Sequence, residues 1–253
     1  MAKTSFHIIS NLEKINRAVR KFIPSKHTAL RLRQQFAGPN DQFPNVEWLS
    51  HHIPKTAGIS LKYSLTQAFG ESQIQSVYPG NPLLNTLNAG RPVWVPSTVK
   101  VIHGHFRPHI NHNRQFPNAR RIVWIRDPLE RNISALNYWL RTQMHSESLE
   151  LFKDANRDKS FEELFSIMMD DVHLLERTRK YAHFFGKFSK TDFAFVGHVE
   201  TYNEDLKRLE DLMDVKLAKY TKNVKPDSLG HDIDITYYRE VLQSEYELLE
   251  KWR

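Results

Sequence analysis

The chain contains no cysteine. That absence removes disulfides, thiolate nucleophiles and cysteine-based zinc sites together, and it offers no sign of an oxidising compartment. Long apolar runs are missing as well: no stretch approaches the roughly 20 residues that span a bilayer. Met1 to Asn11 holds only a broken apolar patch without a small-residue cleavage site, so no signal peptide is read and a cytoplasmic location is expected. Acidic side chains are scarce at the amino end. Before Asp41, Lys3, Lys14, Arg17, Arg20, Lys21, Lys26, Arg31 and Arg33 stand against Glu13 alone, an excess that equals the +7 net charge of the whole chain. Residues 1–45 therefore read as a basic arm, with a helix over Leu12 to Phe22 and a Gly/Pro linker, in front of a near-neutral domain at 46–253. Such an arm suits peripheral contact with a membrane surface or another polyanion, or a merely solvated helix; no nucleic-acid partner is expected.

With 253 residues, 40% hydrophobic and 26% charged, the chain can bury a sizeable core in one domain. Short apolar runs at Val46 to Ile53, Val99 to Ile102, Arg121 to Ile125 and Phe193 to Val196 lack strict alternation, which fits parallel strands buried on both faces. Helical patterns fall between and after them: Ser60 to Phe69 stopped by Gly70, and a helix opened by Asp127-Pro128-Leu129-Glu130 with its apolar stripe at Leu129, Ile133, Leu136 and Leu140. Others follow from the Ser160 capping box, over Leu174 to Phe185, over Tyr202 to Met213, and from Asp234 through Trp252. Glu71 to Ser97, rich in Pro and Gly, reads as an irregular excursion that serves as a functional loop or lid. The expected fold is α/β, a P-loop-like parallel sheet flanked by helices in a single domain, with ligands beyond the carboxyl ends of the strands.

His52-Ile53-Pro54-Lys55-Thr56-Ala57-Gly58-Ile59-Ser60-Leu61 joins the first strand to the first helix. The leading N–H groups of a helix have no internal acceptor and attract an anion. Lys55 adds charge, while Thr56 and Ser60 add hydroxyls. The Walker pattern sets Lys directly after its second Gly, but here Lys55 precedes Gly58, so a nucleotide triphosphate is a poor match. Arg126, at the end of a strand, and Ser134, two turns into the next helix, suit a second phosphate; the competing assignment pairs Arg126 with Asp127 or Glu130.

Together these segments resemble the carbohydrate sulfotransferases. His52 to Leu61 resembles their 5′-phosphosulfate loop, and Ile125 to Ser134 their 3′-phosphate segment. His103-Gly104-His105 is similar to the His-Gly-His of the uronosyl 2-O-sulfotransferases, and Phe195 to Glu200 to a later strand of the same family. The resemblance covers about residues 46 to 213 in order. It implies a soluble, microbial member that uses 3′-phosphoadenosine-5′-phosphosulfate (PAPS) and transfers a sulfuryl group to a hydroxyl, of a carbohydrate or glycolipid, without a metal. Lys55, Thr56, Ala57, Gly58, Ile59 and Ser60 would hold the 5′-phosphosulfate, and Arg126 with Ser134 the 3′-phosphate. His105, or else His103, would be the general base, with Lys55 at the leaving group.

Arg107, His109, Arg114, Arg120 and Arg121 are expected to add positive charge around this cleft, and Lys222 and Lys225 to sit in a late loop. His51 and His52 are expected to be packing or cleft-wall residues. A metal cluster of His103, His105, His109 and His112 is disfavoured by the nearby arginines and the lack of a carboxylate. Two other classes compete: a P-loop kinase needing Mg²⁺, which would bind ATP as well as the bisphosphate, and a non-catalytic glycan- or anion-binding module.

Overall fold

The structure, a computed structural model, describes residues 32–34, 37–141, 152, 154–220 and 233–252. The helix expected at Leu12 to Phe22, the arm cations other than Arg33, and Lys222 and Lys225 lie outside them. Arg33 lies 4.5 Å over the Trp94 ring, and Gln34 exchanges two hydrogen bonds with the Trp94 backbone.

Five strands form one parallel sheet: β1 (Trp48–His51), β2 (Ile74–Val77), β3 (Val101–Gly104), β4 (Arg120–Ile125) and β5 (Phe195–His198). Their spatial order is β2-β3-β1-β4-β5, with every pair parallel. Strand pleating sorts neighbours in sequence onto opposite faces. Trp48, Val101, Ile122, Trp124 and Phe195 pack with α1 (Gly58–Phe69) and a later helix, Tyr202–Met213. Their neighbours turn the other way. Leu49 and Ile102 join α2 (Leu83–Asn88), while Val123, Ile125 and Val196 meet Phe184, Phe185 and Trp252. Burial on both faces is why these strands carry continuous apolar runs instead of alternating ones. The expected α/β sheet between helical layers is thus present.

Following α2 come a single turn, α3 (His112–Gln115), and the long α4 (Pro128–Arg141). Helix α5 (Phe161–Asp170) starts at the Ser160 capping box, where both reciprocal bonds are formed. Leu129, Leu136 and Trp139 of α4 form a second, all-helical core with Leu164, Phe165 and Met168 of α5. Three sequence expectations need correction. Glu71 to Ser97 is not simply irregular, since β2 and α2 lie within it. The helix expected over Leu174 to Phe185 divides into α6 (Leu175–Thr178) and α7 (Lys180–Phe185), because Arg179 leaves helical geometry at ψ 65°. Beyond α8 (Tyr202–Met213), the carboxyl-terminal helix likewise divides at Leu242 into α9 (Ile235–Val241) and α10 (Gln243–Glu250). No helix among the described residues is long and apolar enough to cross a membrane.

Candidate active site

Central strand β1 has β3 on one side and β4 on the other, with His51 level with Gly104 and Val123. The chain segments leaving these three strands therefore lie side by side, and each carries part of the predicted site. This is the crevice where an open α/β sheet takes its ligand.

The turn after β1 is held open by its backbone. Lys55 and Ala57 adopt positive φ of 72° and 59°, which costs about 1–3 kcal/mol for a non-glycine residue. Thr56 is fully buried; its hydroxyl donates to the Ile53 carbonyl at 2.8 Å, and its N–H reaches the same oxygen. Leu61 is the first helical residue whose N–H finds an acceptor, the Ala57 carbonyl at 3.0 Å. No side chain caps this end. Among the described residues the N–H groups of Gly58, Ile59 and Ser60 are thus left over, as the first donors of any helix are. Gly58 admits no side chain, since a Cβ there would stand 2.0 Å from the His52 ring. The Lys55 ammonium lies 4.3 Å over the Tyr138 ring of α4, bringing the turn against the helix that carries Ser134.

The β4–α4 junction is clamped from three elements. Tyr181 of α7 takes a hydrogen bond from the Arg126 N–H at 2.9 Å and donates to the Arg126 carbonyl at 2.6 Å. Glu200 accepts from the Asp127 N–H at 2.7 Å, and Tyr246 of α10 donates to the Asp127 carboxylate. Asp127 still caps α4 through the Glu130 N–H at 3.0 Å, as its position predicts. The Arg126 guanidinium rests on Glu130 at 3.2 Å in a half-exposed pair, the partner weighed against phosphate binding. Such a pair is worth about 1 kcal/mol or less, so a phosphate can displace it. Ser134 is buried two turns on. Arg131 of the same segment is a buried strut, donating to the carbonyls of Arg177 and Thr178.

At β3, the two histidines of His-Gly-His separate in kind. His103 is fully buried and both ring nitrogens are engaged. Nδ1 meets Ser50 Oγ at 2.8 Å, its register partner on β1. Nε2 meets the Tyr78 hydroxyl at 2.8 Å and the Gly58 carbonyl at 3.1 Å. Burial, then the neighbouring His105, pushes its pKa down to about 3. His105 forms no such bonds among the described residues. It lies with its ring 4.7 Å from those of both His52 and Tyr78, and burial followed by the positive Lys180 lowers it to about 4. Lys180 itself is pushed down to about 8 by burial and by Arg131 nearby.

Tyr78 and Ser50 were not singled out in sequence. Tyr78 follows β2, the strand hidden in the excursion, and only its pairing with β3 brings it to His103. The glycine between the histidines has a packing reason: a Cβ at Gly104 would lie 1.9 Å from the Val77 carbonyl of β2, which accepts from the His105 N–H at 2.8 Å. Gly104→Ala is expected to push β2 aside and cost about 1–3 kcal/mol in chemical denaturation.

The expected ring of positive charge is only partly present. Arg107 Nη1 bonds His183 at 3.0 Å on the crevice side. Arg120 and Arg121 instead begin β4 at the opposite, amino end of the sheet. Arg120 stacks over Trp48 at 4.0 Å, and Arg121 reaches the His109 carbonyl. His112 is a core residue bonded to the Leu87 carbonyl at 3.1 Å. Among the described residues, no three His, Asp or Glu side chains converge as metal ligands.

No curated protein matches the chain. Among solved structures, a mouse sulfotransferase, SULT7A1, complexed with PAP is 11% identical with a TM-score of 0.45, over 82% of this chain and 66% of the mouse chain. The chain thus spans just under two thirds of that enzyme. A sulfotransferase from Alicyclobacillus acidocaldarius is 15% identical with a TM-score of 0.38, over 82% of this chain and 94% of its own. A model of the sulfotransferase family matches residues 44–240, from the approach to β1 into α9, and the chain belongs to that family.

Proposed function

We propose that the chain transfers a sulfuryl group from PAPS to a hydroxyl of a carbohydrate or glycolipid acceptor, in line, with His105 as general base. The observation that supports this reading is the adjacency of β3, β1 and β4, whose exits carry His105, the 52–61 turn and Arg126. Family membership supports sulfuryl transfer. The N–H groups of Gly58, Ile59 and Ser60, with Lys55 and the turn residues Thr56 and Ala57, hold the 5′-phosphosulfate. Arg126 and Ser134 hold the 3′-phosphate.

As the acceptor oxygen attacks sulfur, its proton passes to His105 and the bond from sulfur to the 5′-phosphate oxygen breaks. Charge grows on that leaving oxygen. Donors already aimed at it stabilise the transition state more than the ground state, and Lys55 is the mobile one among them. His105 suits the proton because its nitrogens are uncommitted among the described residues, whereas those of His103 are engaged. The reading includes a cytoplasmic location and contact of the basic arm with a membrane surface or polyanion.

Titration with adenosine 3′,5′-bisphosphate (PAP), AMP and ATP tests the donor site. PAP should bind most tightly without Mg²⁺; equal competition by ATP together with a Mg²⁺ requirement would sink the reading. Arg126→Ala should weaken PAP by about 1.5–3 kcal/mol, the range for a charged hydrogen bond, and leave AMP affinity nearly unchanged. Labelled-sulfate transfer to a panel of glycans, glycolipids and phenols then identifies the acceptor.

A further inference from the structure

The hydrogen bonds around His103 fix the protons of a second histidine. The Gly58 carbonyl has no hydrogen to give, so His103 Nε2, 3.1 Å away, carries one. His103 Nδ1 then accepts from the Ser50 hydroxyl. The same Nε2–H faces the Tyr78 oxygen at 2.8 Å, which leaves the Tyr78 hydrogen to His52 Nδ1 at 3.1 Å. A neutral imidazole that accepts at Nδ1 bears its proton at Nε2. His52 is neutral, because burial and the positive or protonatable His105, His103 and Lys55 around it hold its pKa well below the usual value.

His52 is only 7% exposed, and its Nε2–H has no hydrogen-bond acceptor among the described residues. As a donor without an acceptor there, this N–H leaves a place that a ligand oxygen can take. Its position indicates which ligand. The ring is packed on Gly58, with Nε2 only 2.1 Å from where a Cβ would stand. A helical Cβ tilts toward the helix amino terminus. Nε2 therefore lies beside the first turn of α1, where the N–H groups of residues 58–60 lack acceptors among the described residues.

We propose that His52 is a further anion-binding residue of the donor site, its Nε2–H donating to the 5′-phosphosulfate, with Tyr78 as the positioning residue that makes it a donor. This rests on the donor reading above. It also supplies a reason for glycine at 58: a side chain there would displace the ring from the anion. From sequence His52 is expected to be a packing or cleft-wall residue, and its tautomer becomes visible only through β1, β2 and β3 together.

Calorimetric titration of PAP and of adenosine 3′-monophosphate, which lacks the 5′-phosphate, tests the assignment. His52→Leu should weaken PAP by about 10-fold or more, as loss of a hydrogen bond to a charged group does, and leave the monophosphate unchanged. His52→Gln, which keeps an amide donor near the Nε2 position, should recover most of the PAP affinity. In ¹⁵N NMR the wild-type His52 should show a protonated Nε2 and a bare Nδ1, and Tyr78→Phe should mix the two tautomers. Equal losses for both ligands, no loss for either, or a bare Nε2 in the wild type would each overturn the proposal. If the leucine variant does not fold, the glutamine variant and the NMR signature still decide. If wild-type protein prefers neither PAP nor any 5′-phosphate, the donor reading itself fails, which is a different result from an indifferent His52→Leu.

Discussion

His105→Ala is expected to lower the rate of sulfuryl transfer by about 10²–10⁴-fold, the usual contribution of a general base, while PAP affinity and thermal stability stay close to wild type. The ring is partly accessible and makes no hydrogen bond among the described residues, so its removal leaves no buried group stranded. His103→Ala should behave in the opposite manner. It leaves Ser50 Oγ, the Tyr78 hydroxyl and the Gly58 carbonyl around an empty buried site. Losing that side chain should cost several kcal/mol, on the order of 2–5 for a large-to-small core change. The pair is decided by measuring labelled-sulfate turnover, PAP titration and melting temperature on both variants. Loss of PAP binding by a folded His105→Ala would remove His105 as the base. The pH profile gives an independent reading. His105 must be neutral to accept a proton, and its pKa is lowered to about 4 by burial and Lys180. Activity should therefore be full above pH 5–6 and fall as pH drops through about 4. Bound PAPS, being anionic, should move that acid limb upward. Lys180→Met, which removes the positive neighbour, should move it upward as well.

Features encoded by neighbours in sequence were legible, and those created by strand pairing were not. The strand-to-helix turn at His52 to Leu61, the Asp127 N-cap and the Ser160 capping box depend on residues within one helical turn, and their local geometry is present; the reciprocal bond of a box at Asp127 is not, because the Asp127 N–H donates to Glu200. The sheet was legible in type because its strands are buried on both faces. Strand β2 was hidden because four residues between Gly70 and Pro79 look like part of a Pro/Gly loop. Its loss from the reading removed Tyr78 from the site, since that hydroxyl meets a ring 25 positions away only across the β2–β3 pair. The difference between His103 and His105 was hidden for the same reason: Ser50 is the register partner of His103 on β1. Breaks at Arg179 and Leu242 carry no Gly or Pro signal. The first lets Tyr181 clamp Arg126 while Glu245 accepts from the Tyr181 and Ala182 N–H groups at the start of α7. Such a tertiary demand overrides helical propensity.

The burial that keeps these histidines neutral should also make the fold acid-sensitive. His51, His52, His103, His105 and His112 all have lowered pKa values, with His103 at about 3, and His105 and His112 at about 4. Burial is the leading cause in each. In the unfolded chain the same groups titrate near 6.5. Between about pH 4 and 6.5 the unfolded state therefore binds protons that the folded state refuses, so stability is full above about 6.5 and is lost as pH falls. Each such histidine contributes a slope of up to about 1.4 kcal/mol per pH unit. Several acting together can consume the roughly 5–15 kcal/mol of a typical domain within a few pH units. Glu245, whose carboxyl is raised by burial, works against this trend, but it is one group against five. The melting temperature is expected to fall steadily below about pH 6.5, and thermal denaturation between pH 7 and 5 should report uptake of two or more protons per molecule. His112→Gln is the informative variant, because His112 lies outside the proposed chemistry and, among the described residues, its ring donates to the Leu87 carbonyl alone. Its amide cannot titrate, so the variant should take up about one proton fewer even if its stability at pH 7 is lower. A flat profile of stability from pH 7 to 5 would mean that the buried imidazoles are reached by water and protonate without loss of the fold.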